Sequence, residues 1–537
     1  MIDCVLVYPN PSLDSPNRNL ALGVMIVGAA LEQRGFSVEY IDLRFDTMAR
    51  LRDIVRGGVR AVGVSAMTGE QCLVAAEIFE WVKQAFPATK TILGGVHGSM
   101  VTESCIQEPD IDFIVLGEGE ETMCRLMEAV RDNARDLAEI EGLAWKDAGE
   151  PRINQPRAFS DLSDSVFPLT ARNKRLFEIA ASTGHLSYYT TRGCPFRCAF
   201  CYNLVFNRRK WRQLPADRLE EDLRRLRKEI SFDHVYMVDD YIGRRLDRLE
   251  AISRSIRNVG LTWHSSIRVN DVNAESARIL RDGNCQLLLL GVESASESVQ
   301  QGTLVKDYKN GEADVRSCVV TLRDAGITPL YSFMYNVPGE TEEDLVDTAR
   351  LAEWIYRTDT RARIGFYAYT PYPGTPLYKD ALERGFTPPL RLRDWAHLSL
   401  SNELNPKLRD LYYIAGLRFR GRKGDRTDEN FPRLQRLRIA PFELAARVRW
   451  RLMRFVMTDF ERESIKRMIR QASRRDRERE LHQQAAKQSN LVGSSLAPAA
   501  ATAAGDERDC VVETSTAAVG VTRAPVVERR SLPVVQP

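Results

Sequence analysis

The sequence predicts an α/β protein in three parts: an N-terminal, Rossmann-like, doubly wound domain, then a partial (β/α)6 barrel, then a mainly helical C-terminal region. Two observations carry this. Short apolar runs alternate with helical patterns twice over, first within residues 1–140 and again within 184–388. Strand, helix, strand, repeated, implies right-handed crossovers and parallel sheets covered on both faces. Beyond about residue 390 the alternation gives way to Arg-rich helical sequence.

In the first series the runs CVLVYP, VEYIDL, AVGVSAM, KTILGGV and DFIVLGEGEE read as strands, with LALGVMIVGAALEQRG and EIFEWVKQAF between them as helices. Ligands of such open sheets sit beyond the carboxyl ends of the strands. Ser65–Met67, Gly94–His97 and Gly117–Glu120 fall there, and their glycines let the backbone approach a large flat ligand. Residues 141–183 are polar and irregular, with Pro151, Pro156 and Pro168, and read as a linker carrying a hairpin. In the second series LSYYTTRG, HVYMVDD, LTWHSSIRV, CQLLLLGVES, PLYSFMYNVPG and RIGFYAYTPYPGTP are six strands, a number that suits a partial barrel with its site at the strand C-termini.

Residues 389–488 form the C-terminal helical region. Its segment FELAARVRWRLMRFVM mixes basic and apolar residues at helical spacing, which suits a membrane-surface helix or, as expected here, an accessory helix packed on the barrel. From Ser489 to residue 537 the composition turns to Ala, Thr, Val and Pro without periodicity, the pattern of a disordered tail.

Composition narrows the function classes. A chain of 537 residues exceeds one ordinary core, and no apolar run is long enough to span a bilayer. The start MIDCVLVYPNP lacks the features of a secretory signal, so a cytoplasmic protein is expected, with its ten cysteines available for metal binding or packing before disulfides. A net charge of +3 does not call for a nucleic-acid partner.

The strongest motif is Thr191-Arg-Gly-Cys194-Pro-Phe-Arg-Cys198-Ala-Phe-Cys201-Tyr-Asn203, a C-x3-C-x2-C loop directly after the first barrel strand. Three thiolates hold three irons of a cubane cluster, whereas an electron-transfer cluster uses four. The open iron left over is what a reaction needs, by the logic that separates catalytic from structural zinc. Zinc with His185 or His264 as fourth ligand is the competing reading; it is weakened by the lack of a second short-spaced cysteine pair.

This loop resembles the signature of the radical S-adenosylmethionine (SAM) superfamily, and its continuation CYNLVFNRRKWR is similar to the cobalamin-binding subgroup. The resemblance implies that the open iron is chelated by SAM, that one-electron cleavage of the sulfonium yields a 5′-deoxyadenosyl radical, and that an external donor such as flavodoxin or ferredoxin supplies the electron. The cofactor carries the hard chemistry and the protein positions it. Carried over residue by residue, Phe200 and Tyr202 meet the adenine, and Asp239 and Asp240 form the acidic strand end that meets the methionine amino group or the substrate. Arg268 pairs with the methionine carboxylate, for which guanidinium geometry is suited. Glu293 and Ser294 take the ribose hydroxyls. Asn336–Thr341, with Pro338 and Gly339, shapes the adenine pocket, and Pro371–Pro376 is the closing strand. Asp240 and Arg268 are the residues expected nearest the chemistry. Tyr331, Phe333 and Tyr369 are either substrate contacts or core, and core is the commoner fate of strand aromatics.

The resemblance extends to the front domain, as a B12-binding domain whose contacts would be Ser65, Met67, Gly94, Gly95, His97, Gly117, Glu118 and Gly119. The D-x-H-x-x-G motif that places a histidine under cobalt in many corrinoid domains is absent, and His97 is expected to line the pocket or turn rather than ligate. The implied activity is methylation of an unactivated carbon, less often phosphorus, in a small metabolite. The alternatives are oxidative cyclisation or rearrangement on the same scaffold, and tRNA methylthiotransfer with a second cluster on Cys4, Cys72 and Cys105.

Overall fold

A computed structural model describes residues 1–10 and 19–397, apart from 135, 244 and 307–310, and parts of 410–467. The expected tail from Ser489 lies outside the described residues.

Seven strands make the first sheet: β1 (Ile2–Tyr8), β2 (Val38–Asp42), β3 (Val59–Ser65), β4 (Lys90–Gly94), β5 (Phe113–Val115), β6 (Leu143–Asp147) and β7 (Glu150–Ile153). Their order is β2-β1-β3-β4-β5-β6-β7, parallel through β5. The order reverses between β1 and β3, and such a switch point opens a crevice beyond the carboxyl ends of the strands. Successive residues of β1 feed opposite faces, Cys4 and Leu6 in one core, Val5 and Val7 in the other, which is why these strands read as continuous apolar runs. The hairpin expected in the linker is real, but it pairs antiparallel onto β5 as β6 and β7. The first sheet therefore runs past residue 140 to Ile153.

The second domain opens with β8 (His185–Tyr188), followed by a two-stranded antiparallel ladder, β9 (Thr191–Arg192) with β10 (Arg212–Gln213). The barrel continues through β11 (His234–Met237), β12 (Thr262–Ile267), β13 (Cys285–Glu293), β14 (Thr328–Tyr335) and β15 (Arg363–Ala368). The six parallel strands β8, β11, β12, β13, β14 and β15 lie side by side in that order, an open partial barrel as expected. Along β14 alternate residues are buried, and Tyr331, Phe333 and Tyr335 belong to the main core. Tyr331, Phe333 and Tyr369 are all buried packing residues.

Two pieces follow the barrel. The turn Leu392–His397 buries Leu392 and Trp395 in the outer core of the first domain, and Glu108 of that domain binds Arg391 and the Leu392 amide. The helix Arg433–Arg451 buries Ala446 and Trp450, whose indole packs edge-on against Phe366 of β15, so it is an accessory helix on the barrel. No described helix is long and apolar enough to cross a membrane.

Candidate active site

The cysteine loop leaves the barrel at the carboxyl end of β8. Cys194, Cys198 and Cys201 are partly buried, and none is in a disulfide. Burial pushes the Cys194 thiol up to about 11 and Cys201 up to about 12, so in the bare loop both carry protons. Iron reverses that preference, because a coordinating thiol is deprotonated by the charge of the metal. The loop is fixed from both sides of Ala199, whose N–H donates to Leu304 O (2.9 Å) and whose carbonyl accepts from Leu377 N (3.1 Å). Gly193 precedes Cys194 at φ +81°, where a side chain would run into the Lys210 carbonyl and Asn207. Among the described residues no three His, Cys, Asp or Glu side chains close around a single ion. A cubane asks for something else, one thiolate on each of three irons.

The acidic strand end divides into two roles. Asp239 is buried, and its carboxylate accepts from Thr190 N (2.6 Å), Thr190 Oγ1 (2.7 Å) and Thr191 N (2.7 Å). It anchors the root of the cysteine loop, with both oxygens engaged by these donors. Burial pushes its carboxyl up to about 6, against the pull of these donors. Asp240 is exposed and accepts from the Tyr202 hydroxyl at 2.8 Å. Arg268 lies 3.7 Å from the Phe196 ring centroid, stacked on the loop between two of the cysteines.

On the far side of the loop, Phe200 packs on a small cluster with Ala199, Val337 and Tyr369, which places the Asn336–Thr341 turn against the cysteine loop. Gly339 there has φ +84°, and Glu340 accepts from the Asn336 amide (2.7 Å) to close the turn. The two residues at the end of β13 already have protein partners. Ser294 is fully buried and its hydroxyl pairs with that of Thr348 (3.1 Å). Glu293 is turned by φ +70° onto Lys306, which no sequence pattern had marked.

A cavity of about 490 Å³ lies between the two domains. That volume falls in the ordinary range for cofactor sites. One wall is the crevice of the first sheet, with Ser65, Met67, Gly94, Gly95, Gly117 and Gly119; the other is Tyr189, Arg192, Gly193, Tyr202 and Asp240 at the barrel mouth. A Cβ on Gly95, at φ +87°, would stand 2.7 Å from the Ala66 carbonyl oxygen, so that loop has no room for a side chain. An apolar, glycine-lined cradle of this kind fits a flat corrinoid ring. Glu118 lines the cavity too, but its carboxylate is held by Arg212 (2.6 and 2.8 Å) and Arg192 (3.1 Å) of the β9–β10 ladder. Burial opposes its charge, yet Arg212 and Arg192 keep the carboxyl below its usual range.

His97 does not line the cavity. It is fully buried on the other side of its helix, edge-on to Trp395 (5.1 Å), with Nδ1 3.0 Å from the Thr68 hydroxyl. Burial drops it to about 4, so it is a neutral core residue and no pocket contact. Two further alternatives lose support. His185 and His264 lie at the opposite end of the barrel strands from the cysteines, in a group with His234, whose Nε2 is 2.5 Å from His264 Nδ1. Cys4 is on one face of the first sheet and Cys72 and Cys105 on the other, so the three cannot share a second cluster.

Comparison with known proteins agrees with this geometry. Residues 188–352 match the model of the radical SAM superfamily, and residues 15–127 match that of the B12 binding domain. An uncharacterized methyltransferase of Pyrococcus horikoshii is 29% identical over 348 residues, 64% of this chain and 73% of that protein. Cytidylyl-2-hydroxyethylphosphonate methyltransferase of Streptomyces wedmorensis is 22% identical, over 72% and 82% of the two chains. Anaerobic magnesium-protoporphyrin IX monomethyl ester cyclase of Cereibacter sphaeroides is 25% identical, over 70% and 63%. In fold the chain is similar to the radical SAM methyltransferase TsrM of Kitasatospora setae, with a TM-score of 0.58, 18% identity and coverage of 72% of this chain and 75% of that one. It is also similar to the cobalamin-dependent radical SAM enzyme OxsB, with a TM-score of 0.63, 16% identity and coverage of 88% and 75%. A three-cysteine partial barrel behind a corrinoid-type sheet defines a radical enzyme with two cofactor domains. The chain belongs to the cobalamin-binding radical SAM enzymes, and its cofactors are a 4Fe–4S cluster, SAM and cobalamin.

Proposed function

We propose that the protein is a methyltransferase that replaces a hydrogen on an unactivated carbon, less often phosphorus, of a small metabolite with a methyl group. The observation that carries this reading is the single cavity walled on one side by the crevice loops of the B12 domain and on the other by Tyr202, Gly193 and Asp240, neighbours of the cysteine loop. A substrate held there faces both cofactors at once. When bound, the cluster and SAM supply hydrogen-atom abstraction, and cobalamin supplies the methyl group taken from a second SAM.

The chain's own residues hold and orient. Cys194, Cys198 and Cys201 grip the cluster, and Arg268 takes the carboxylate of SAM, a reading supported by its stacking on Phe196 beside them. Asp240, its charge shared with the Tyr202 hydroxyl, presents a carboxylate at the cavity wall for a donor group of SAM or of the substrate. Val24, Val27, Val64 and Val115 keep the opposing wall apolar, which limits water around a reactive intermediate. The electron comes from outside the chain, from a donor of the flavodoxin or ferredoxin kind.

The name of the Cereibacter relative favours one second reading, an oxidative cyclisation. Anaerobic incubation of reconstituted protein with a low-potential one-electron reductant, cobalamin, candidate metabolites and SAM labelled in its methyl group separates the two. Methylation yields a product heavier by one labelled methylene; a product lighter by two hydrogens and free of label refutes it.

A further inference from the structure

The ladder beside the cysteine loop contains an arrangement that its own sequence does not justify. Arg192 of β9 and Arg212 of β10 are direct cross-strand partners. Like charges facing each other across an antiparallel pair repel, so an isolated two-residue ladder of this composition is unfavourable. What stabilises it comes from the other domain. Glu118, in the loop that follows β5, and Glu120, the first residue of the next helix, reach across the cavity rim. Arg192 Nη1 meets Glu120 Oε1 at 2.7 Å and Glu118 Oε1 at 3.1 Å, while Arg212 grips both oxygens of Glu118. All four side chains are at least four-fifths buried, and Arg212 is backed by the Phe159 ring at 4.5 Å. Charges this shielded are screened little by salt and are costly to leave unpaired.

Position gives the cluster a function. On one side Gly117, Glu118, Gly119 and Glu120 all line the cofactor cavity, so the acids are part of the corrinoid loop itself. On the other side Arg192 stands two residues before Cys194, joined to it only by Gly193, which is packed so closely on the Lys210 carbonyl that a Cβ there would collide with it. We propose that Arg192 and Arg212 are positioning residues that lock the corrinoid loop to the root of the cysteine loop, so that assembling the cluster tightens cobalamin binding and the reverse. The inference rests on the two cofactors and not on the reaction they serve.

Coupling of this kind is reciprocal, and typical values are about 5–150-fold in affinity. The experiment measures the dissociation constant of hydroxocobalamin by equilibrium dialysis under anaerobic conditions, for cluster-loaded protein and for cluster-free Cys198→Ala protein, in four backgrounds. In the otherwise wild-type background the cluster is expected to tighten hydroxocobalamin at least about fivefold. In Arg192→Gln that ratio is expected to fall to one, and in Arg192→Lys, which keeps the charge, to recover in part. Glu120→Gln asks the same question from the corrinoid side and leaves the Arg212–Glu118 pair in place, so a folding failure of Arg192→Gln does not end the test. A wild-type ratio of one, or an unchanged ratio in both Arg192→Gln and Glu120→Gln, overturns the proposal. Either result leaves methyl transfer standing, because no substrate is present.

Discussion

Lys306 Nζ lies 2.9 Å from Glu293 Oε1, and the two side chains are 8% and 11% exposed. The same ammonium donates to the Gly291 carbonyl at 2.5 Å, so it closes the end of β13 onto itself just where Glu293 takes its positive φ. A glutamate held at φ +70° pays a conformational cost that a partner has to offset.

From that pairing follows the first prediction. Lys306→Met removes the cation and leaves a buried carboxylate alone, which costs about 3–5 kcal/mol. The urea midpoint should drop accordingly, and Glu293→Gln added to Lys306→Met should restore most of it. A single variant that unfolds at the wild-type midpoint would show that the pair carries no stability.

His97 gives a pH dependence of known sign. Its ordinary pKa is about 6.5, and burial holds it at about 4 in the fold. Between those values the unfolded chain binds the extra proton, so the contribution of neutral His97 is whole above about 6.5 and is lost as pH falls towards 4. Asp239 and Glu340, pushed up by burial to about 6 and about 7, run the opposite way, and His264, held at about 3, runs the same way. The wild-type profile therefore mixes signs, and the difference from His97→Gln isolates this residue. That gap in urea midpoint should shrink from pH 7 to pH 4. A gap independent of pH sinks the assignment of His97 as a neutral core residue.

Much of the site was legible because its signals are local. A C-x3-C-x2-C loop after a strand, glycines at strand ends and six apolar runs each occupy a few adjacent residues, and all six barrel strands form. His97 misled for an equally local reason. It sits in a glycine-rich turn, but Gly95 lines the cavity as the first residue of a helix, and two residues further on the helix has carried the side chain around to the core. Arg192 with Glu118, Lys306 with Glu293, and Trp395 with His97 were not legible at all. Each pairs residues from different elements, two of them from different domains, and no periodicity reports which arginine meets which glutamate. Asp239 and Asp240 show the limit most sharply: adjacent and chemically identical, they alternate across the strand end, one buried under the loop and the other on the cavity wall.

The glycines of the corrinoid cradle should separate by cause. Both Gly95 and Gly117 have positive φ, a conformation that costs a residue with a side chain about 1–2 kcal/mol. At Gly117 nothing lies within reach of a Cβ, so Gly117→Ala should bear that cost alone and keep most of its cobalamin. At Gly95 the Ala66 backbone stands in the way at 2.7 and 2.8 Å, so Gly95→Ala must also shift the cavity wall. Cobalamin retention after anaerobic gel filtration should fall at least tenfold further in Gly95→Ala than in Gly117→Ala. Equal retention in the two would mean that the wall yields freely.

Asp239 offers the test that best divides what the family resemblance implies from what the geometry shows. Were its carboxylate a contact to the amino group of SAM, Asp239→Asn would keep its iron and lose SAM affinity. The structure instead spends both oxygens on Thr190 and Thr191, ahead of the first cysteine. Asparagine still offers an amide oxygen to those backbone N–H groups, and the Thr190 hydroxyl can turn to accept from its amide nitrogen. Asp239→Ala instead leaves buried donors unpaired, at about 1–3 kcal/mol each, in the segment that must present Cys194. Iron after reconstitution should therefore stay near about four atoms per chain in Asp239→Asn and fall well below that in Asp239→Ala. SAM affinity of the iron-loaded fraction should change little in either. Loss of SAM binding at full iron content in Asp239→Asn would return this carboxylate to the role that the strand-end motif suggested.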